Sequence, residues 1–271
     1  MQKAARPGRK EIFPHDAAFR PGQSLPAQGK SSTETGKLCV PRGKPPRRGL
    51  GQLPEGDRPE RMSRAQSFCR HETFIHGVFM ILETSRVRLR PWKDSDLAPF
   101  RALNADPHVM RFFPAPLTPE ESDALAASLQ ERMKRHVFGL WALELPGLAP
   151  FAGFIGLNVP AFDPSLVEIG WRMHKTFWGR GFATEGAALA MEAGFSLFHL
   201  EEICSFTAAI NTPSERVMQR LGMEHRPEDD FDHPALPPGD RLSRHVLYRM
   251  SKKRWAVQRE RFPFLQTMHV L

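Results

Sequence analysis

Residues 167–198 constrain the fold more than any other stretch, because the hydrophobic period changes there across a pair of glycines. In residues 167–173 apolar side chains alternate with Glu168, Gly170 and Arg172, which predicts a strand with two different faces. In residues 187–198 apolar side chains recur at helical spacing, which predicts a helix with one apolar face. The segment between them, F-W-G-R-G-F-A-T-E-G, is therefore predicted to be a glycine-bearing turn from strand to helix.

The glycines of this turn, Gly179 and Gly181, predict a backbone that binds phosphate. Glycine lets the main chain adopt positive φ and lets a ligand approach it closely, and free N–H groups at a helix start attract anions. The spacing is not that of a Walker loop, which needs G-x-x-x-x-G-K-[S/T]. It is not a dinucleotide fingerprint either, because Thr184 replaces the third glycine, and Glu201 and Glu202 precede the next strand instead of ending it.

The turn resembles the acyl-coenzyme-A loop of the GCN5-related N-acetyltransferases, whose pattern is [Q/R]-x-x-G-x-[G/A]. Gly181 and Ala183 match the pattern, and Trp178 stands where glutamine or arginine is usual. The form W-G-[K/R]-G-[Y/F]-A-T-E is common in the branch that resembles the ribosomal-protein N-terminal acetyltransferases (RimJ/RimL-like). The resemblance covers about residues 82–250, and it implies acetyl-coenzyme A (acetyl-CoA) as the cosubstrate.

The net charge of the chain is concentrated at one end. The sequence has 38 basic and 30 acidic residues, and residues 1–79 hold 15 and 7 of them, which leaves 23 of each in residues 80–271. Because the body is neutral, the high isoelectric point does not predict a nucleic-acid groove on it. Residues 1–79 also contain 9 prolines and 9 glycines with little apolar periodicity, which predicts a disordered Arg/Pro/Gly-rich extension.

Two interpretations of this extension are open. It is a basic tail that contacts RNA, or natural translation starts at Met80, and the organised pattern that begins after Met80 favours the second. The extension lacks the long apolar core of a secretory signal, and the apolar patch at residues 74–82 is too short to span a bilayer. Cys39, Cys69 and Cys204 form no C-x-x-C pair, so neither a disulfide framework nor a zinc site is predicted, which suits the cytoplasm.

Residues 80–251 are predicted to form one domain, with a basic and aromatic tail over residues 252–271. Its elements follow the order β-α-α-β-β-β-α-β-α-β-β, with a single βαβ unit among hairpins. This order predicts an α+β fold with a mixed, mainly antiparallel sheet and flanking helices. By the resemblance, the strands at residues 167–173 and 203–210 splay apart in a three-layer α/β/α arrangement, and the pantetheine arm lies between them.

Helix starts are predicted from capping residues. Capping boxes stand at residues 118–121 and 212–215, each with proline at its second position. Asp94 or Ser95 is predicted to cap the first helix.

The resemblance assigns acetyl-CoA to the turn and to the strand before it. Backbone N–H groups of residues 178–183 would bind the diphosphate, Arg180 would add charge, and an amide near residues 171–173 would stabilise the oxyanion. The alternative is a glycine turn that only packs the sheet against the helix. The cofactor-binding residues implied are Trp171, Arg172, Met173, Trp178, Gly179, Arg180, Gly181, Phe182, Ala183, Thr184 and Asn211.

The group that donates a proton to the leaving thiolate is sought in the segment N-T-P-S at residues 211–214. Many relatives carry a tyrosine on the following helix, but Met218 occupies that position here and Tyr248 is the only tyrosine in the chain. The RimL-like branch carries N-x-x-S instead, so the resemblance makes Asn211 a cofactor ligand and Ser214 the donor to the thiolate. The alternative for Ser214 is an ordinary place in the first helical turn.

A general base is needed only for some acceptors. An α-amine has a pKa of about 7.7–8 and is partly neutral near pH 8, whereas a lysine amine has a pKa of about 10.4. Glu168 matches the strand glutamate of the branch and is the candidate base, acting directly or through water. The alternative is a carboxylate on the face of the sheet that pairs with Arg172 or another cation.

The acceptor would enter opposite the cosubstrate, between the aromatic connector at residues 109–116 and the acidic loop at residues 228–240. A core role for the aromatic side chains and a solvated loop for the acidic ones are the alternatives. The residues predicted to bind the acceptor are Phe112, Phe113, Trp141, Asp232 and His233.

The leading hypothesis is an acetyl-CoA-dependent N-acetyltransferase that modifies a protein N-terminal amine by direct attack. The alternatives are an acetyltransferase for a small amine, such as an antibiotic or a polyamine, and a non-catalytic acyl-CoA-binding module. No metal, membrane or nucleic-acid partner is predicted for the domain, which would be a monomer or a homodimer.

Overall fold

The structure is a computed structural model that describes residues 80–271. The predicted extension at residues 1–79, together with Cys39 and Cys69, lies outside the described residues. Within residues 80–271, no helix combines the length and the apolar character needed to cross a membrane.

Ten strands and five α-helices follow one another along the described chain. The strands are β1 (Leu82–Glu83), β2 (Arg88–Arg90), β3 (Leu140–Leu145), β4 (Ala149–Asn158), β5 (Glu168–Met173), β6 (Glu202–Ala208), β7 (Glu224–His225), β8 (Phe231–Asp232), β9 (Arg244–Ser251) and β10 (His269–Val270). The helices are α1 (Leu97–Ala105), α2 (Pro119–Arg135), α3 (Phe182–Ser196), α4 (Thr212–Leu221) and α5 (Lys252–Gln258).

The strands form one mixed sheet in the order β10-β1-β2-β3-β4-β5-β6-β9-β7, and β8 pairs with β9. Among the described strands, β5 and β6 are the one parallel pair, and the others are antiparallel. The predicted α+β fold is therefore confirmed. The sequence pattern missed the strands β1, β8 and β10, because two residues carry no visible period. It also missed the helix α5, which is about two turns long.

The two central strands diverge, as the resemblance predicted. β5 pairs with β4 at six positions, from Gly153 opposite Met173 to Asn158 opposite Glu168. It pairs with β6 at a single position, Glu168 opposite Cys204. A wedge therefore opens between the carboxyl halves of β5 and β6.

Helices cover both faces of the sheet, and each face has its own apolar core. On β3, on β5 and on β4 after Gly153, odd-numbered side chains such as Ile155 and Ile169 pack in the core with α3. Even-numbered ones such as Ala142 and Phe154 pack in the core with α1 and α2. Before Gly153 the two faces of β4 are exchanged, with Ala152 in the first core and Phe151 in the second. The alternation follows from the period of two along a strand.

Helix α3 is buried on nearly all sides, where the sequence pattern predicted one apolar face. The predicted face extended to Phe198, which lies beyond the helix end. The outer side of α3 is covered by the segment after β9, where Trp255 donates a 2.8 Å hydrogen bond from Nε1 to Glu192. Trp255, Phe262 and Leu265 belong to the main core, and β10 pairs with β1. Residues 252–271, which the sequence pattern set apart as a tail, therefore pack against the domain.

The helix starts follow the predicted caps only in part. The capping box at Thr118 and Glu121 is confirmed, and α4 ends at Gly222, which has φ +78°. The second predicted box is wrong, because the N-cap of α4 is Asn211 and not Thr212. The predicted cap of the first helix is also wrong, because a 3₁₀ turn at Asp94–Asp96 precedes α1. At α4 the Asn211 side chain, next to the predicted cap, accepts from the Ser214 amide, whereas the N-cap of α1, Asp96, makes no side-chain capping bond.

Candidate active site

A cavity of about 560 Å³ lies at the mouth of the wedge, between the connector after α1, the end of β5 and the starts of α3 and α4. It brings together most of the residues predicted from sequence to bind the cosubstrate, the acceptor or both. These are Phe112, Phe113, Trp171, Arg172, Met173, Trp178, Gly179, Gly181, Phe182, Ala183, Thr184, Asn211 and Ser214.

The turn into α3 adopts the conformation that its glycines predict. Gly179 has φ +74° and Gly181, the N-cap of α3, has φ +84°. No atom lies within 4 Å of a Cβ added at Gly179, and the Arg86 guanidinium lies 3.5 Å from one added at Gly181. Glycine is therefore required here by the left-handed backbone and not by lack of space.

The amides of this turn are available for an anion, with one exception. The Trp178 amide donates to the Lys175 carbonyl at 3.1 Å, so the predicted set of amides begins one residue too early. Within the described chain, no hydrogen bond is donated by the amides of residues 179–184, and the first bond of α3 runs from Glu185 to Gly181 at 3.0 Å. Free amides at a helix N-terminus attract anions in general, so these six could hold a phosphate group.

Two side chains that flank these amides hold the turn in place. The indole Nε1 of Trp178 donates to the Met173 carbonyl at 2.9 Å and ties the turn to the end of β5. Glu185, which is buried, accepts from the Thr84 hydroxyl at 2.6 Å and from Arg86 Nε at 2.8 Å. The sequence interpretation gave Glu185 no role, although its place in the W-G-R-G-F-A-T-E segment was a signal.

The end of β5 offers amides to the wedge in a fixed pattern. The amide of His174 donates to the Ala152 carbonyl at 2.9 Å, across the ladder with β4. Because amides alternate in direction along a strand, the amide of Arg172 also points to β4, and those of Trp171 and Met173 point to the opposite side. The predicted oxyanion donor near residues 171–173 is therefore narrowed to Trp171 or Met173.

Asn211 and Ser214 lie together at the start of α4. The Asn211 side chain donates to the Thr207 hydroxyl at 2.8 Å and to the Ser214 hydroxyl at 3.1 Å, and it accepts from the Ser214 amide at 3.4 Å. Because the Ser214 oxygen accepts a hydrogen bond from Asn211, its own proton is left to donate elsewhere. Asn211 thus orients Ser214, and its amide group is occupied within the protein.

Arg172 is the buried charge of the cavity. Its side chain is 4% exposed, and Nη1 donates to the Asn104 side-chain oxygen at 2.7 Å. The guanidinium lies 4.1 Å from the ring centroid of Phe113, and its Nε has no hydrogen-bond partner among the described residues. Burial lowers the pKa of Arg172 to about 9, which still leaves the side chain charged at neutral pH.

Within the part of the chain that the structure describes, the ionisable side chains that line the cavity are all arginines. Besides Arg172 they are Arg111, Arg216 and Arg220, which the sequence interpretation missed. Arg216 and Arg220 stand one turn apart on α4, on the side that also presents Pro213. That helical spacing was the signal that could have found them, and their charge suits a ligand that carries phosphates.

Some predicted residues lie away from the cavity. Glu168 is buried at the start of β5, where β5 still pairs with β6, and it does not line the cavity. Arg180 also lies outside the cavity lining, and its guanidinium lies 5.3 Å from the centroid of the Phe182 ring. Trp141 is fully buried in the core against α3, so the core alternative holds for it.

The predicted acidic recognition loop is also separate from the cavity. Asp232 is exposed on β8 and forms an ion pair with Arg244 at 3.8 Å. His233 is buried, and its ring packs with Phe162 and with His245 at 5.4 and 4.9 Å between centroids. Tyr248 is also occupied elsewhere, because its hydroxyl donates to Glu215 at 2.8 Å.

The sequence of residues 86–224 matches the family profile described as the acetyltransferase (GNAT) domain. The chain belongs to the GNAT acetyltransferase family. The match spans the described domain from β2 to β7 and includes every element that forms the cavity. The protein is therefore an acetyltransferase enzyme, and acetyl-CoA is the cosubstrate of its family.

Curated relatives agree with this assignment. The chain is 27% identical over 191 residues to the FsC-acetyl coenzyme A-N(2)-transacetylase of Aspergillus fumigatus, an alignment that covers 64% of this chain and 77% of that protein. It is 24% identical over 179 residues to the uncharacterized N-acetyltransferase YnaD of Bacillus subtilis, with 65% of this chain and 99% of the relative covered.

Solved structures with the same fold include other acetyltransferases. A putative acetyltransferase from T. thermophilus superposes with a TM-score of 0.54 at 26% identity and covers 69% of this chain and 95% of its own. Mycobacterium smegmatis RimJ in complex with CoA-disulfide superposes with a TM-score of 0.54 at 20% identity, over 69% of this chain and 95% of RimJ. At that identity the likeness to RimJ concerns the fold alone.

Proposed function

We propose that this acetyltransferase transfers the acetyl group of acetyl-CoA to a protein N-terminal α-amine by direct attack. The observation that carries the proposal is the character of the cavity, whose ionisable side chains are four arginines. Among residues 80–271 no carboxylate or imidazole lines the cavity, which suits an amine that is already partly neutral, as an α-amine is at a pKa of about 7.7–8. A lysine amine, with a pKa of about 10.4, or a polyamine is almost wholly protonated at neutral pH and would need a base.

In this proposal the diphosphate of acetyl-CoA binds the free amides of residues 179–184, and the positive end of α3 favours its charge. The pantetheine arm enters the wedge between β5 and β6. The thioester carbonyl then meets the amide of Trp171 or Met173, which stabilises the oxyanion as the amine adds to the carbonyl carbon. The geometry of the turn and of the strand supports both contacts.

The tetrahedral intermediate collapses when its C–S bond breaks and coenzyme A leaves as a thiolate. The Ser214 hydroxyl, which Asn211 orients at 3.1 Å, donates its hydrogen bond to the departing sulfur. Ser214 thereby passes its proton to the sulfur, and the proton that the amine releases reaches the Ser214 oxygen through water, so the products are the acetylated amine and free coenzyme A thiol. Glu168 does not line the cavity, so in this proposal it acts only through water.

A small-molecule acceptor is the second candidate. The fungal relative is named for acetylation of FsC at N(2), which is not described as a protein N-terminus. A binding module without catalysis would bind acetyl-CoA at the same amides, but it would release no thiol.

Turnover with a panel of amines separates these functions. Acetyl-CoA affinity is measured by calorimetry, and thiol release is measured with peptides that carry a free α-amine, with N-blocked lysine peptides and with polyamines. The proposal expects thiol release with the first set only. Thiol release with lysine peptides or polyamines alone would contradict it, and acetyl-CoA binding without any thiol release would favour the binding module.

Replacing Ser214 tests its role. We expect Ser214→Ala to lower kcat about 10²-fold, a typical size for a lost proton-transfer group, with acetyl-CoA affinity nearly unchanged. Glu168→Gln is expected to lower kcat by less, because its effect passes through water. If turnover survives the double substitution, the assigned roles of both residues are wrong.

A further inference from the structure

Arg172 carries a positive charge that the described protein does not neutralise. Among residues 80–271 it forms no ion pair with a carboxylate, and its hydrogen-bond partner is the neutral side chain of Asn104. Leaving a buried cation without a counter-ion is costly. Because this unpaired cation lines a cavity, we expect it to bind an anionic ligand and not to stabilise the fold.

Asn104 is itself fixed, so the guanidinium is held in one place. Asn104 is fully buried on α1, and its Nδ2 donates to the Ser122 hydroxyl of α2 at 2.9 Å. That bond turns the Asn104 oxygen towards Arg172, where it accepts from Nη1. Phe113 and Phe154 lie 4.1 and 5.4 Å from the guanidinium carbon and keep water away from it.

Arg172 and the amides proposed to bind the diphosphate lie on opposite faces of the sheet, although both line the same cavity. Arg172 stands opposite Phe154 on β4 and packs on it, and Phe154 belongs to the core against α1 and α2. The free amides of residues 179–184 lie at the start of α3, which packs on the other face. The anion that reaches Arg172 therefore comes with the acceptor, past the connector that carries Phe112 and Phe113.

We infer that Arg172 binds a carboxylate of the acceptor, a few bonds from the amine that is acetylated. The inference rests on the proposed function and adds the acceptor class, an amine with a nearby acidic group. Two sources share this chemistry: a peptide whose first or second residue is Asp or Glu, and a free acidic amino acid. A guanidinium binds a carboxylate through charge-assisted hydrogen bonds, and the unpartnered Nε supplies one donor.

The test uses binding as well as turnover, so that a failure of each proposal is recognisable. Two peptides that differ only in Glu or Gln at the second position are titrated by calorimetry into the full chain saturated with CoA. We expect the Glu peptide to bind about tenfold or more tightly, the size expected for one charge-assisted contact. Equal affinities, or tighter binding of the Gln peptide, would exclude a peptide as the source of the carboxylate, and the inference is overturned if free glutamate also binds no more tightly than free glutamine.

Free glutamate and glutamine form the second arm. Preference for glutamate with no preference between the peptides would place the carboxylate on a free amino acid, and the role of Arg172 would stand. Thiol release with the same ligands and acetyl-CoA tests the proposed function separately, because the inference concerns affinity and not turnover.

Asn104→Asp is the sharpest variant, because it gives Arg172 an internal counter-ion of nearly unchanged shape. The Ser122 hydroxyl can then donate to the new carboxylate instead of accepting from the amide. We expect the affinity ratio of the Glu and Gln peptides to fall to about one, as it should in Arg172→Met, while Arg172→Lys keeps part of the ratio.

Arg101→Met is the matched control, since Arg101 is 43% exposed on α1 and pairs with Asp123 at the surface. The control should keep the ratio of the wild type. A ratio that stays at the wild-type value in both Asn104→Asp and Arg172→Met would show that the carboxylate binds elsewhere.

Discussion

Two buried arginines of this acetyltransferase show how different surroundings give the same residue different roles. Arg90 and Arg172 are 3% and 4% exposed, respectively. Arg90 forms ion pairs with Asp96 at 2.8 Å and with Glu144 at 2.6 Å. Arg172 has the Asn104 side chain and two aromatic rings around it, and no carboxylate pairs with it among residues 80–271.

The two sites shift the pKa of arginine in opposite directions. Burial lowers the pKa of Arg90, but the hydrogen bonds and charges of Asp96 and Glu144 outweigh it, so that pKa lies above its ordinary value. At Arg172 burial acts alone and lowers the pKa to about 9. Arg90 therefore stabilises the junction of β2, β3 and α1, whereas Arg172 costs stability until an anion binds. A buried charge that the fold satisfies is structural, and one that it leaves unsatisfied indicates a ligand.

The largest effect on stability is expected at the satisfied site. Arg90→Met leaves the buried carboxylate of Asp96 without its cation, and breaking a buried pair in this way costs about 3–5 kcal/mol of the free energy of unfolding. Chemical denaturation measures the loss. Arg101→Met, which removes an exposed pair, should cost no more than about 1 kcal/mol. Similar losses in the two variants would show that the Arg90 network adds nothing beyond a surface pair.

A smaller effect is expected at the unsatisfied site. Arg172→Met replaces an uncompensated charge with an apolar side chain between Phe113 and Phe154, so the free energy of unfolding should fall by no more than about 1 kcal/mol and can rise. The same denaturation experiment measures it. If Arg172→Met destabilises the fold as strongly as Arg90→Met, Arg172 is structural and the contrast between the two sites is wrong.

The smallest expected effect is the pH dependence of the free energy of unfolding. The region of His174 should lose stability at a higher pH than the region of Arg90 and Glu144. Burial lowers the pKa of His174, at the end of β5, despite the opposing hydrogen bond to the Pro99 carbonyl and the charge of Asp106. The unfolded chain therefore binds more protons below about pH 6.5, and the free energy of unfolding should begin to fall there. Burial also lowers the pKa of His136, with the charges of Arg132 and Arg135, so this residue adds to the same phase.

The ion pairs of Arg90 with Asp96 and Glu144 should lose their stabilising effect only at lower pH. Burial raises the pKa of Glu144, but the hydrogen bond from Arg90 and the charges of Arg88 and Arg90 outweigh it and lower the pKa below its ordinary value. The stabilisation by Glu144 is thus present above about pH 4.5 and is lost as pH falls through the lowered pKa. Denaturation midpoints from pH 8 to pH 3 should show two phases, and His174→Gln should shrink the first. A first phase of unchanged size would assign it to other groups.

The sequence predicted the elements that local patterns and motifs specify. It did not predict features that depend on contacts between residues far apart in the chain. The strand, turn and helix at residues 167–198 and the splay of β5 from β6 were readable, because local period and a family-like motif specify them. The full burial of α3 was not, since it depends on Trp255 reaching Glu192 from 63 residues away. β1, β8 and β10 are too short for a period.

The residues of the candidate site were likewise predicted where they are contiguous in sequence and missed where distant contacts decide their surroundings. The glycine turn and the pair of Asn211 and Ser214 are contiguous in sequence, so they were found. Trp141 was placed at the acceptor because an aromatic residue looks the same in a core and in a cavity. That no carboxylate of residues 80–271 pairs with Arg172 could not be predicted, because it depends on which side chains of α1 and α2 face β5.

If the proposed function is right, the arginine-lined cavity acetylates an amine that is already partly neutral. The most direct measurement uses one peptide with both a free α-amine and an internal lysine, incubated at pH 7.5 with acetyl-CoA and the enzyme. Tandem mass spectrometry then locates the acetyl group. We expect acetylation at the α-amine and an unmodified lysine. Acetylation of the lysine with a free α-amine would contradict it.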